Sequence, residues 1–159
     1  MRIREYASPK AAQRVKGPVL NRILVAYDDS TTVRRALAEV VCLAQVEGAR
    51  LIALAVEEHL PHFDGASLGE VREEHERRQR TCRLWLRSAE AYADEHGVRL
   101  RTDIRSGSFM QQLARSAAAH QADLVVLGRR NRPGTWGRFT GSKAERATRH
   151  VGCSIFIAG

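Results

Sequence analysis

Short apolar runs alternate with stretches of helical periodicity along this chain, and together the two patterns predict alternating strands and helices. The apolar runs indicate five strands, at residues 22–27, 50–56, 98–104, 123–127 and 153–158. Stretches with apolar residues three or four positions apart predict four helices, at residues 33–47, 70–96, 109–120 and 142–150. Because each helix connects one strand to the next, the pattern predicts an α/β fold whose parallel sheet has helices on both faces.

Two of these elements carry specific side-chain predictions. The third strand alternates apolar and polar residues, which is typical of a strand at a sheet edge. The long second helix is predicted to bury one stripe of residues three, four or seven positions apart. That stripe consists of Val71, His75, Cys82, Trp85, Ala89 and Tyr92.

Residues 1–20 show no sustained periodicity, and Gly17-Pro18 is a turn signal before the first strand. We therefore predict a mostly flexible basic arm at residues 1–20 and one folded domain at residues 21–159. No apolar run approaches the roughly 20 residues of a membrane span, and the N-terminus lacks the apolar core of a secretory signal. The three cysteines form no Cys-x-x-Cys pair. Reduced thiols and a cytoplasmic location are therefore expected.

The net charge of +8 is concentrated in two segments. Residues 1–22 contain six Lys or Arg and one Glu, and residues 128–150 contain seven Lys or Arg and one Glu. An anionic ligand at the second segment is the simplest explanation. A nucleic acid or an acidic lipid surface is the alternative, but no aromatic residues are interleaved for base stacking and no recognition helix stands out. We therefore do not expect nucleic-acid binding.

The candidate anion site lies after the fourth strand. That strand ends at Gly128, a long polar loop follows, and Gly141-Ser142 begins a basic helix. Backbone N–H groups of such a loop and of a helix N-terminus can converge on one phosphate. Asp28 follows the first strand, so the two segments would flank the crevice at the carboxyl edge of the sheet. The alternatives are structural: Asp28 as a helix cap, and the glycines as residues for a tight loop and close packing.

Several familiar sites are absent from the sequence. There is no Gly-x-x-x-x-Gly-Lys-[Ser/Thr], which excludes a Walker-type NTPase, and no Gly-x-Gly-x-x-Gly after the first strand. The serines that precede helices have no accompanying His and Asp pattern, so nucleophilic catalysis is unsupported; these are Ser30, Ser106 and Ser142. His59 and His62, with Asp64 nearby, could bind a metal, but solvated loop histidines are the favoured interpretation.

Over residues 22–158 the chain resembles the universal stress protein family. The resemblance rests on Ile23–Asp28, Ala53–Val56, Gly107 and the segment Gly128-x2-Asn131-x9-Gly141-Ser142. The ATP-binding branch of that family has Gly-x2-Gly-x9-Gly-[Ser/Thr] there, so the spacing is kept and Asn131 replaces the second glycine. Asn tolerates left-handed backbone dihedrals, so the turn is expected to survive.

The resemblance implies a Rossmann-like fold, an open five-stranded parallel sheet of order 3-2-1-4-5 with helices on both faces. It implies that ATP, optionally with Mg²⁺, binds with its adenine and ribose near Asp28 and Val56. Gly128, Gly141 and Ser142 would contact ribose and phosphates. The positions assigned to nucleotide contact are Ala26, Tyr27, Asp28, Val56, Leu127, Gly128, Arg130, Asn131, Gly141, Ser142 and Lys143.

The resulting hypothesis is an ATP-binding stress-response protein that acts through its liganded state, since no general base or nucleophile is apparent. The alternative is a member of the same family that binds no nucleotide and contacts a protein partner through its basic loop and arm. The family also implies a homodimer through the last strand. Ile155, Phe156 and Ile157 are apolar residues of that strand, and an apolar edge strand needs a partner.

Overall fold

Five parallel strands alternate with helices in the computed structural model, which describes residues 20–58, 67–128, 147 and 149–158. Residues 147, 149 and 150 are also helical. The bounded elements are β1 (Arg22–Ala26), α1 (Thr31–Glu47), β2 (Arg50–Glu57), α2 (Leu68–Glu95), β3 (Leu100–Ser106), α3 (Phe109–Ala119), β4 (Leu124–Gly128) and β5 (Ser154–Ala158).

The strands form one sheet in the order β3-β2-β1-β4-β5, as the family resemblance implied. β1 is central and pairs in parallel with both β2 and β4. The chain runs outward from β1 to β2 and β3, then returns to the other side of β1 for β4 and β5. The topological switch point therefore lies between β1 and β4, where open α/β sheets usually bind their ligands.

Two apolar clusters cover the two faces of the sheet. The first packs α1 and α2 on alternate residues of the strands, including Ile23, Val25 and Tyr27. The second packs α3 on the intervening residues, including Leu24 and Ala26. β1 and β2 are buried along nearly their whole length because each has a neighbouring strand on both sides and helices on both faces.

Side-chain caps and a left-handed residue define the helix ends. Ser30 caps α1 and accepts a hydrogen bond from the Val33 N–H, and Gly48 ends the helix with φ of 67°. Ser67 and Glu70 form a reciprocal capping box at the start of α2. These caps place the helix starts two residues earlier than the apolar periodicity alone had placed them.

The predicted buried stripe of α2 is wrong at its N-terminal end. Val71 is 49% exposed, and the buried residues of this helix begin only at Cys82. The His75 side chain is 45% exposed, so it is not a core histidine. Trp85 and Tyr92 are half-buried against the first cluster. The first turns of α2 therefore extend beyond the sheet that the rest of the helix covers.

Other predictions agree with the structure or lie outside its described part. β3 is an edge strand as predicted, although it begins at Leu100 and runs to Ser106. All three cysteines are free. In the residues that the structure describes, no helix is both long enough and apolar enough to cross a bilayer. Three sets of predictions fall on residues that the structure does not describe. These are the arm at residues 1–19, the histidines at 59 and 62, and the loop and helix start predicted within 129–146.

Candidate functional site

Asp28 and Val56 lie side by side at the carboxyl edge of the sheet. Ala26 is in register with Leu54, and the Tyr27 N–H donates to the Leu54 carbonyl oxygen at 2.8 Å. Asp28 lies two residues beyond Ala26, and Val56 lies two residues beyond Leu54. Asp28 is only 7% exposed, so the sheet edge presents a buried carboxyl group at its centre.

Gly128 brings the end of β4 against the first turn of α1. Val25 is in register with Val126, which places Gly128 at the same edge as Asp28. A Cβ atom built on Gly128 would lie 2.4 Å from the Val33 side chain. Packing on Val33 therefore accounts for this glycine, as the structural alternative proposed. The same close approach puts the N-terminus of α1 beside the switch point.

The turn between β1 and α1 contains the residue that caps the N-terminus of α1. Ser30 is the N-cap, so Asp28 does not serve that role. Instead, the Asp28 Oδ1 atom accepts a hydrogen bond from the Ser30 N–H at 3.1 Å. This local bond folds the chain back directly after β1 and fixes the carboxyl group of Asp28 at the edge of the crevice.

The structure brings five of the predicted nucleotide positions together at this edge. Ala26, Val56 and Leu127 are buried in the second cluster, with Asp28 and Gly128 next to them. Tyr27 differs, because its side chain lies in the first cluster on the opposite face of the sheet. The other predicted positions lie outside the described residues; these are Arg130, Asn131, Gly141, Ser142 and Lys143.

A buried acid that the sequence pattern did not predict lies at the end of β2. The Glu57 side chain is 2% exposed; its Oε2 atom accepts from the Ser106 hydroxyl at 2.8 Å, and its Oε1 atom lies 2.6 Å from His75 Nδ1. In the sequence, His75 is 18 residues and Ser106 is 49 residues away from Glu57. One signal was available, since an acid directly after six apolar residues of a central strand is placed at the carboxyl edge.

A second group made of a serine, an acid and a histidine lies between β3 and α3. Asp103 Oδ2 accepts from the Ser116 hydroxyl at 2.7 Å and lies 3.2 Å from His120 Nε2. Burial acts to raise the pKa of Asp103, but hydrogen bonds from Arg105 and Ser116 and the Arg105 charge outweigh it. The pKa therefore lies below its ordinary value.

Neither group has the geometry of a nucleophilic triad. In a Ser-His-acid triad the histidine lies between the other two residues and removes the serine proton. Here the acid lies in the middle, and each serine donates to a carboxylate instead of a histidine. Both groups join neighbouring elements, and neither activates its serine for attack.

Other possible sites in the described residues do not match a nucleotide or a metal. Among residues 20–58, 67–128, 147 and 149–158, no three His, Cys, Asp or Glu residues are grouped to hold a metal ion. A groove of about 170 Å³ lies between α2 and β3, away from the carboxyl edge. That volume is below the range of roughly 300–1,000 Å³ typical of small-molecule sites. Its walls are formed by Arg83, Leu86, Arg87, Glu90, Thr102 and Ile104.

A family model, a related sequence and a solved structure all match this chain to universal stress proteins. A family model described as the universal stress protein family matches residues 20–158. The universal stress protein Sll1388 of Synechocystis is 33% identical over 147 residues, covering 86% of this chain and 96% of that protein. The solved structure of UspA from Lactobacillus plantarum has a TM-score of 0.77 and 23% identity, covering 90% of this chain and 100% of that chain.

Solved structures with the same fold include nucleotide complexes. An Arabidopsis thaliana universal stress protein with AMP bound has a TM-score of 0.61 and 17% identity, covering 87% of this chain and 90% of that chain. A universal stress protein in complex with cAMP has a TM-score of 0.66 and 20% identity, covering 89% and 99%. At these identities the likeness establishes the shared fold.

Proposed function

This chain belongs to the universal stress protein family, and on that basis we propose that it binds an adenine nucleotide, ATP, at the carboxyl edge of its sheet. One observation carries the proposal: the ends of β1, β2 and β4 place Asp28, Val56 and Gly128 together at the topological switch point. Relatives with this fold that hold AMP and cAMP support the choice of an adenine nucleotide.

The chemistry of this edge suits an adenine and a ribose. A buried carboxylate such as Asp28 can accept hydrogen bonds from a ribose hydroxyl or from the adenine amino group. The buried aliphatic side chains of Ala26, Val56 and Leu127 give the surroundings an apolar character. We propose that the phosphates extend past Gly128 toward Gly141, Ser142 and Lys143, where a helix N-terminus would receive them.

We further propose a regulatory role in the stress response in which the bound nucleotide sets the state of the protein, without fast catalysis. The arrangement of the two Ser–acid–His groups supports this, since neither serine is activated by a histidine. Mg²⁺ would be optional because phosphate binding by backbone N–H groups does not require it.

Calorimetric titration of the full chain with ATP and magnesium tests the proposal. We expect saturable binding, and we expect Asp28→Ala to weaken it by about tenfold or more, because a hydrogen bond to a charged group contributes roughly 1.5–3 kcal/mol. Asp94→Ala is the matched control, since it removes the same charge from an exposed position near the C-terminal end of α2. No heat at millimolar ATP would refute nucleotide binding and favour the protein-interaction alternative.

We also propose that two copies associate through β5. This strand is at the edge of the sheet, and its Phe156 and Ile157 side chains are 44% and 43% exposed. Pairing with a second β5 would satisfy the open backbone groups of the edge and cover both side chains. Ile155, by contrast, packs inward against the second cluster.

A further inference from the structure

The backbone of Asp29 is in the left-handed region, next to the acid proposed to bind nucleotide. Its φ is 59°, and Gln121 is the other non-glycine residue with positive φ in the described part of the chain. This conformation is unfavourable for most residues with a side chain, although Asp tolerates it better than most. Asp29 joins Asp28 to the helix cap Ser30, so its dihedrals set the position of the Ser30 N–H, which donates to the Asp28 carboxyl group at 3.1 Å.

Arg34, Tyr27 and Ser88 of α2 are the side-chain hydrogen-bond partners of Asp29. Arg34 donates from Nε to Oδ1 at 2.8 Å and from Nη2 to Oδ2 at 2.7 Å, a two-pronged ion pair. The Tyr27 hydroxyl donates to Oδ1 at 3.0 Å. Since the Tyr27 residue is 1% exposed, the carboxylate is tied to the core on one side and to α1 on the other. We call Tyr27, Asp29 and Arg34 the turn clasp.

Electrostatics agree with this geometry. The hydrogen bonds from Arg34 lower the pKa of Asp29, although partial burial opposes them. Both oxygens of the carboxylate accept hydrogen bonds from Arg34, which uses its Nε and Nη2 atoms for this contact.

We propose that the turn clasp holds the left-handed turn that presents Asp28 to the nucleotide, so that Arg34 is a positioning residue for ligand affinity. The inference rests on the proposed function above. Without Arg34, Asp29 relaxes toward ordinary dihedrals, the peptide between Asp28 and Asp29 rotates, and the bond from Ser30 N–H to Asp28 Oδ1 opens. Only the fraction of molecules with the turn intact then binds well, and the apparent affinity falls by that fraction.

The test compares Arg34→Ala with Arg35→Ala for two ligands, adenosine and ATP. Arg35 is the neighbouring exposed arginine, so its loss changes the net charge equally. We expect Arg34→Ala to weaken both ligands by the same factor, about three- to tenfold, and Arg35→Ala to bind as the wild type does. In an Asp29→Ala background, Arg34→Ala should cause no further loss, because the two residues act through one contact.

A readout without ligand accompanies these titrations. Amide hydrogen exchange at Ser30 should be faster in Arg34→Ala than in Arg35→Ala, because the Ser30 N–H bonds to Asp28 only while the turn is held. All measurements are made well below the melting temperature, so that each variant is folded. A general loss of stability would instead raise exchange across the whole sheet.

The possible outcomes separate the inference from the proposed function. Loss of ATP affinity with unchanged adenosine affinity would overturn the inference, since Arg34 would then contact phosphate directly. Equal loss in Arg35→Ala, or unchanged Ser30 exchange in Arg34→Ala, would also overturn it. A wild-type chain that binds neither ligand overturns the proposed function and this inference together. A wild-type chain that binds both, with Arg34→Ala binding as tightly, overturns the inference alone.

Discussion

Tyr27 shows at the scale of one residue how the core and the candidate site are joined. Burial raises the pKa of its hydroxyl to about 12, and the neighbouring Asp29 adds to the shift. The ring packs in the first cluster while the hydroxyl reaches the turn after β1. Tyr27 therefore has two structural roles: its ring fills part of the core, and its hydroxyl donates a hydrogen bond to the turn.

The shift predicts a loss of stability at alkaline pH. An unfolded Tyr27 loses its proton near pH 10, while the folded residue keeps it until about pH 12. The proton is bound more tightly in the folded state, so the contribution is complete below pH 10 and is lost as pH rises through 12. The two-unit difference corresponds to at most about 3 kcal/mol in the free energy of unfolding.

Urea denaturation at several alkaline pH values checks this with Tyr27→Phe. Between pH 10 and pH 12, the free energy of unfolding should fall less steeply in Tyr27→Phe than in the wild type. Tyr92→Phe, at a half-buried position in α2, should decline as the wild type does. Identical slopes for Tyr27→Phe and the wild type would contradict the assignment.

Gly128 gives a second prediction at this scale. In Gly128→Ala the new methyl group would overlap the Val33 side chain, so the free energy of unfolding should fall by about 1–3 kcal/mol. Adding Val33→Ala should recover part of that loss by making room. Gly152→Ala is the control, because a Cβ there meets nothing within 4 Å. Thermal denaturation that gave equal stabilities for Gly128→Ala and Gly152→Ala would refute the close approach.

At the scale of elements, α2 shows why apolar residues at helical spacing are not always buried. The helix has 28 residues and β2 has 8, which correspond to lengths of about 42 Å and about 26 Å. A helix longer than the strands it covers must extend past them. Val71 on its N-terminal turns therefore keeps the apolar spacing while remaining 49% exposed among the described residues. The capping box of Ser67 and Glu70 stabilises this end of the helix.

This interpretation predicts opposite results for two truncations in the same helix. Leu86→Ala should lower the free energy of unfolding by about 2–5 kcal/mol, because Leu86 is 2% exposed in the core. Val71→Ala should change it by less than about 0.5 kcal/mol, since Val71 lies on the overhanging turns. A large loss for Val71→Ala in chemical denaturation would show that the first turns of α2 pack on something.

The sequence predicted elements and fold better than it predicted the site. Apolar runs located every strand within two residues, because buried strands such as β2 are almost continuously apolar. The strand order came from the family resemblance, since alternating elements alone do not specify it. Contacts between distant residues, such as Glu57 with His75 and Ser106, left no periodic signal. At the left-handed turn, Asp29 contacts Arg34 and Tyr27, and the spacing of these three residues matches no recognised sequence motif.

At the scale of the whole molecule, the two outermost strands of the described sheet, β3 and β5, differ in charge. β3 carries Arg101, Asp103 and Arg105, and charged side chains discourage pairing at an edge. β5 has the sequence Ser-Ile-Phe-Ile-Ala, which contains no charged residue and four apolar residues. The asymmetry directs self-association to the β5 side.

Size-exclusion chromatography with light scattering tests this asymmetry. We expect the wild type to have the mass of a dimer and Phe156→Lys to have the mass of a monomer, because a charge at the edge would be buried without a partner. Leu84→Lys is the matched control, since Leu84 is 63% exposed on α2 and should leave the dimer intact. A monomeric wild type would contradict association through β5.

The proposed function depends on whether the carboxyl edge of the sheet holds a nucleotide. A crystal structure of the full chain grown with millimolar ATP tests this most directly. We expect density for adenine and ribose beside Asp28 and Val56, with phosphates passing Gly128, at the switch point of the sheet. An empty carboxyl edge in those crystals, or ATP bound at another surface such as the groove between α2 and β3, would contradict it.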